Sequence, residues 1–131
     1  STLFPWCLLE LGERRYGNVS YADLMARLTR DDITELRRAY LQGVAEQTED
    51  EGPFLDKQLT NHRYVPVLAL AFPEAKFIHT DRDPVDTCLS CYQQLFPRID
   101  FSHHLVDLGI AWHTQARLMA RWKELLPGRI H

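Results

Sequence analysis

Cysteine, glycine and long apolar stretches are all scarce in this chain, and each scarcity excludes something. Three cysteines, Cys7, Cys88 and Cys91, are too few and odd in number for a disulfide scaffold, and they suit a reducing compartment. No apolar run approaches the roughly 20 residues that span a bilayer. The opening STLFPWCLLE has neither a basic leader region nor a small-residue cleavage site. A cytoplasmic protein with no membrane partner is therefore expected. Neither sign of charge dominates: the formal net charge is −3, with Arg mixed among Glu and Asp, so there is no broad basic field for nucleic acid. Any anion site must be local. Gly12, Gly17, Gly43, Gly52, Gly109 and Gly128 are dispersed, and none lies in a loop that would wrap a phosphate with main-chain N–H groups.

What is present is enough for one soluble globular domain: 131 residues, 45% apolar and 25% charged. Helical spacing of Phe4, Leu8 and Leu11 predicts a helix over Leu3 to Arg15, stopped by Tyr16-Gly17-Asn18. Ser20-x-x-Asp23 and Asp32-x-x-Glu35 resemble capping boxes ahead of two amphipathic helices, the second carrying Ile33, Leu36, Tyr40, Leu41 and Val44. The acidic stretch Glu46 to Glu51 reads as a solvated loop. Phe54 to Lys57 is a strand candidate, Asn61 to Phe72 a buried helix with Pro66 near its start, and Lys76 to Thr80 a second strand. A helix from Asp83 to about Phe96 follows. The longest helix opens at Ser102, with Leu105, Leu108, Trp112, Leu118, Met119, Trp122 and Leu125 as its buried stripe. Strands flanked by helices predict an α/β class, helix-rich, with a short parallel sheet. The chain lacks an initial Met and stops on Leu126-Pro127-Gly128-Arg129-Ile130-His131, a turn running into a strand. The expectation is one partial domain over residues 1–131, cut from a longer protein.

The most specific physics lies between Lys76 and Cys91, where a strand leads through Arg82 into a helix start. Such a junction can bind an anion. Free N–H groups and the positive end of the helix dipole would face it, Arg82 would add a forked pair of hydrogen bonds, and Ser90, two turns along, a hydroxyl. The competing reading is an ordinary ion pair between Arg82 and Asp83 or Asp86.

Three runs carry a family likeness: Asp56-Lys57-Gln58-Leu59-Thr60-Asn61, Phe72-Pro73-Glu74-Ala75-Lys76-Phe77-Ile78-His79, and Arg82-Asp83-Pro84-Val85-Asp86-Thr87-Cys88-Leu89-Ser90-Cys91-Tyr92. Together they resemble the central block of bacterial sulfotransferases often fused to tetratricopeptide repeats, distant relatives of the tyrosylprotein sulfotransferases. The resemblance implies a nucleotide-loop-type three-layer α/β fold and transfer of a sulfuryl group from 3′-phosphoadenosine 5′-phosphosulfate (PAPS) to a hydroxyl or amine, without a metal. It implies that Arg82 and Ser90 hold the nucleotide's 3′-phosphate and that Lys57 is catalytic at the sulfuryl group. It also implies possible tetratricopeptide repeats in the parent chain, and a phosphosulfate-binding loop ahead of the residues present. Leu59 stands where the family usually has Pro, and Asp81, an acid beside Arg82, would compete for its guanidinium. The general base is not identified; Glu10 and Glu13 are the weak candidates, against their reading as solvated helix residues.

Two other readings compete. Cys88-x-x-Cys91 could be a redox pair or half of a metal site with His79, His103, His104 or His113, although small core residues are the better account. His103 and His104 read as capping and surface residues. Alternatively, the chain could be a non-catalytic sulfotransferase remnant acting as an interaction module, with aromatic faces around Trp6, Trp112 and Trp122 exposed for association.

Overall fold

A computed structural model describes residues 2–48, 52–94, 96 and 99–131. The chain divides into two units, Ser1–Ala75 and Lys76–His131. The expected loop over Glu46 to Glu51 lies partly outside the described residues, and so does the expected end of the helix before Pro97.

The first unit is helical. Helix α1 (Leu3–Tyr16) buries Phe4, Cys7, Leu8, Leu11 and Gly12 on one face, and Gly17 ends it with φ of 71°, a left-handed conformation that a side chain would resist. In α2 (Tyr21–Arg27) the Ser20 hydroxyl accepts from the Asp23 amide at 3.1 Å, as its capping signature predicted. The next cap differs from expectation. Helix α3 (Arg30–Ala45) starts three residues earlier than Asp32 implied, because Thr29 is its cap and Asp32 is the acid that completes the box. Helix α4 (Val65–Ala71) follows a short 3-10 turn at Asn61–Arg63 and carries a proline in its first turn.

Phe4, Leu8, Leu11, Leu24, Leu36, Tyr40, Val67 and Phe72 belong to one buried cluster. Gly12 leaves room for the Leu24 side chain of α2: a Cβ there would stand 2.8 Å from one of its methyl carbons. Arg37 of α3 then holds the end of α4, donating to the Ala71 carbonyl at 2.7 Å and to Glu74, with its guanidinium 4.8 Å from the Phe72 ring centre.

Asp32 is buried and polar, and its partners explain why. It accepts from Tyr16 Oη at 2.5 Å and from the amide and hydroxyl of Thr29 at 2.9 and 2.7 Å, with Arg15 at 3.7 Å. Desolvation pushes this carboxyl up, but the Thr29 and Tyr16 bonds outweigh it and hold Asp32 below its ordinary range. Glu35, one turn on, is gripped by Arg14 and Arg15 and is likewise lowered, chiefly by the Arg15 bond.

The second unit consists of an extended segment from Lys76, α5 (Pro84–Gln94), a 3-10 turn at Asp100–His103, and α6 (Leu105–Leu125), which packs against α5. Here the expected α/β architecture is overturned. Among the described residues there are no strands and no sheet, only one isolated parallel bridge between Phe77 and Ile130. Phe77 N–H donates to the Arg129 carbonyl at 3.1 Å, His131 N–H to the Phe77 carbonyl at 2.9 Å, and His79 N–H to the His131 carbonyl at 2.8 Å. Lys76 to Thr80 thus has the bonding of a strand edge, but a sheet needs a ladder. Phe54 to Lys57, the other strand candidate, carries no strand assignment, with Leu55 80% exposed.

The stripe expected on α6 is also narrower. Leu108 and Met119 are buried, Trp112, Leu118 and Trp122 half-buried, and Leu105 and Leu125 exposed. Ser102, expected to open this helix, sits in the preceding 3-10 turn and is fully buried, its hydroxyl donating to the Ile99 carbonyl at 2.7 Å. Among the described residues no helix is long and apolar enough to cross a membrane.

Candidate active site

In the second unit, the path from Thr80 into α5 is organised by two aspartates. Asp83 Oδ1 accepts from the amides of Val85 and Asp86 at 2.9 and 3.1 Å, while its carbonyl takes Thr87 N–H at 2.9 Å and Thr87 Oγ1 at 2.8 Å. Pro84 has no N–H to offer. The donors expected to face an anion are therefore engaged by the chain itself, which corrects the helix-terminus part of the sequence argument. Asp81 does not take the Arg82 guanidinium as feared: its Oδ1 accepts the Arg82 main-chain N–H at 3.0 Å.

The Arg82 side chain is 65% exposed and reaches Asp86 at 4.0 Å, the outer limit of an ion pair. Such a contact between solvated groups holds weakly. Asp86 and Ser90 are four residues apart on α5 and share a face, so the contact turns the guanidinium toward the side that carries Ser90. Ser90 is half-buried, and its hydroxyl has no partner among the described residues. The junction thus presents an under-committed guanidinium and a hydroxyl to solvent, suited to oxygen atoms of an anionic ligand.

The nearby cysteines are a separate matter. Cys88 and Cys91 are free and half-buried, and among the described residues no three His, Cys, Asp or Glu side chains converge to hold a metal. His79 Nδ1 is buried without a partner, whereas His103, His104 and His113 are exposed. His104 occupies the cap position of α6 but makes no side-chain capping bond, contrary to the role expected of it.

Lys57 belongs to the first unit. It is exposed, with no partner for its ammonium among the described residues, and it rises from a loop that is firmly tied underneath. Tyr40 Oη donates a short hydrogen bond to Asp56 Oδ2, and Asn61 Nδ2 donates to Asp56 Oδ1 at 3.3 Å. Within the loop, Asn61 N–H reaches the Gln58 carbonyl at 3.1 Å, and Gln58 Nε2 reaches Thr60 Oγ1 at 3.1 Å. Burial, reinforced by the Asp56 bond, pushes the Tyr40 phenol well above its ordinary range, so it remains a donor at any physiological pH. Gln58 Oε1 and Asn61 Oδ1 have no protein partner among the described residues. Leu59, at the position of the family proline, is 68% exposed.

Asp56 and Asn61 stood in the run that carried the family likeness but were given no role, and Tyr40 was given none beyond the apolar face of α3. Tyr40 read as one more apolar residue of α3; the usable signal was a polar hydroxyl on an otherwise buried face, which requires a partner when enclosed. Glu10 and Glu13, the weak base candidates, are exposed on α1.

A model of the sulfotransferase family matches residues 9–131, nearly the whole chain. The chain belongs to the sulfotransferase family. An uncharacterized protein of Aquifex aeolicus (strain VF5) is 33% identical over 96 residues, a match covering 70% of this sulfotransferase chain and 13% of that protein. The chain therefore spans a small part of the length of the relative it matches. No solved structure matches it.

Proposed function

We propose that this sulfotransferase chain takes PAPS as its donor and contributes both the grip on the nucleotide's 3′-phosphate and a catalytic cation. Arg82 and Ser90 hold the 3′-phosphate by a charge-assisted fork and a hydroxyl, and Lys57 steadies charge at the reacting group. The observation that carries the reading is the exposed, loosely paired Arg82 turned to the helix face of an unpartnered Ser90, within a chain of this family.

The chemistry is an in-line exchange. An acceptor hydroxyl or amine forms a bond to sulfur as the bond between sulfur and the bridging oxygen of the 5′-phosphate breaks. That oxygen keeps the electron pair, giving 3′-phosphoadenosine 5′-phosphate, and the acceptor proton passes to a base outside the assigned residues. Negative charge grows on the leaving oxygen, and an ammonium already oriented there lowers the barrier without reorganising. Lys57 is suited to this because its charge is not spent on a carboxylate.

The chain works as the central segment of a longer cytoplasmic enzyme of the type resembling tyrosylprotein sulfotransferases, with tetratricopeptide repeats as possible neighbours and no nucleic acid or membrane among its partners. A second reading, a non-catalytic interaction module, draws on the apolar side chains exposed in the second unit: Ile78 and Val106 at 74%, Val85 at 63% and Ile110 at 60%. Calorimetric titration of 3′-phosphoadenosine 5′-phosphate into the full-length protein separates the two. Binding that is lost in Arg82→Ala supports the enzyme, and no binding to the wild type supports the module.

A further inference from the structure

The loop beneath Lys57 contains a device that the family likeness did not supply. We infer that Tyr40 is a positioning residue for Lys57, acting through Asp56; the inference rests on the catalytic reading of Lys57 given above.

Tyr40 is a fixed point. It is 3% exposed, and its ring meets Phe4 and Phe72 edge-on, with centroids 5.3 and 5.6 Å away, and Phe54 at 6.0 Å. Its hydroxyl projects from this aromatic cluster to Asp56, the residue immediately before Lys57. The other carboxylate oxygen is held by Asn61, four residues after Lys57. Phe54 on one side and Asn61 on the other thus bracket the lysine, and Tyr40 touches the bracket at both Phe54 and Asp56.

Lys57 has no side-chain partner among the described residues, so the direction of its ammonium is set by the backbone that carries it. That backbone is anchored at Asp56, whose two carboxylate oxygens are held by Tyr40 and Asn61. Asn61 commits its side-chain N–H to Asp56, which ties the residue before Lys57 to the one four positions after it. After the lysine, Asn61 N–H reaches the Gln58 carbonyl and Gln58 Nε2 reaches Thr60 Oγ1, so the turn is also closed by its own hydrogen bonds. A long, flexible lysine needs such a base, because a small displacement of a catalytic group costs rate out of proportion to its size.

The test is steady-state sulfuryl transfer from PAPS to water or a simple phenol by the full-length protein. Tyr40→Phe keeps the ring packing and removes the clamp. It should lower kcat about tenfold while leaving KM for the donor within about twofold. On the residual rate of Lys57→Ala, measured at higher enzyme concentration, Tyr40→Phe should cause no further loss, since there is no ammonium left to position. Asp56→Ala should reproduce the pattern, and it serves in its place if Tyr40→Phe does not fold. The inference is overturned if Tyr40→Phe or Asp56→Ala leaves kcat intact, or if its loss is equal with and without Lys57, as a purely structural role predicts. A Lys57→Ala enzyme with unchanged kcat would instead remove the catalytic reading of Lys57, and a wild type inactive toward both acceptors would remove both.

Discussion

Tyr40 and Asp56 are sixteen positions apart in the chain and joined by one short hydrogen bond, donor in the core of α3 and acceptor at the foot of the lysine loop. The bond links the best-packed part of the first unit to its candidate chemistry. Removing the hydroxyl leaves a partly buried carboxylate with one partner fewer. Tyr40→Phe should therefore destabilise the protein by about 1–2 kcal/mol, read as a lower urea midpoint with an unchanged slope. No change in midpoint would show that the bond contributes nothing net.

Arg82→Ala should weaken binding of 3′-phosphoadenosine 5′-phosphate by about 1.5–3 kcal/mol, and Ser90→Ala by about 0.5–1.5 kcal/mol, the ranges for a charged and a neutral hydrogen bond. Full desolvation of the guanidinium would suggest a larger loss for Arg82, but the side chain is exposed. Calorimetry gives both numbers. Equal affinities for wild type and Arg82→Ala would remove the phosphate assignment.

Acid should loosen the first unit. Asp32 and Glu35 both titrate below their ordinary ranges when folded. A lowered folded value means the unfolded chain takes up protons first. Their stabilising contribution is thus complete above the ordinary carboxylate range and disappears as pH falls through it toward the folded values. Urea unfolding followed from neutral pH downward should show this decline, and Asp32→Asn should flatten it. An equally steep decline in that variant would place the effect elsewhere.

Gly12→Ala should cost about 1–3 kcal/mol, because the added methyl group meets the buried Leu24 side chain at 2.8 Å and forces it to shift within the core. The pairing of Gly12→Ala with Leu24→Ala checks the cause: the double variant should be less destabilised than the sum of the two singles. Strict additivity in thermal melts would contradict the contact.

The helices were legible in the sequence because their signals are local. The Phe4, Leu8, Leu11 spacing, the Ser20 cap and the Gly17 stop each depend on neighbours within one or two turns. The α3 cap was misplaced by three residues because Asp32 can serve either as a cap or as the acid inside a capping box, and only Thr29 distinguishes them. Lys76 to Thr80 failed as a strand for a different reason: its composition suits one, but a ladder depends on partners far along the chain, and here the pairing is a single bridge to Ile130. Arg82 and Ser90 could be named as candidates from the junction ahead of α5 and from the resemblance, and Lys57 from the resemblance alone. Tyr40 could not, since its pairing with Asp56 exists only once α3 is packed.

The self-capping of α5 by Asp83 has an evolutionary consequence. Where a protein grips phosphate with main-chain amides, the grip survives almost any exchange of side chains, because every residue but proline supplies the same donor. Here those amides are already engaged, and the recognition proposed above is left to a guanidinium and a hydroxyl. Two substitutions would erase it while the helix stood unchanged, so descendants of this chain could retain the architecture, shed the nucleotide and turn the same face to another purpose.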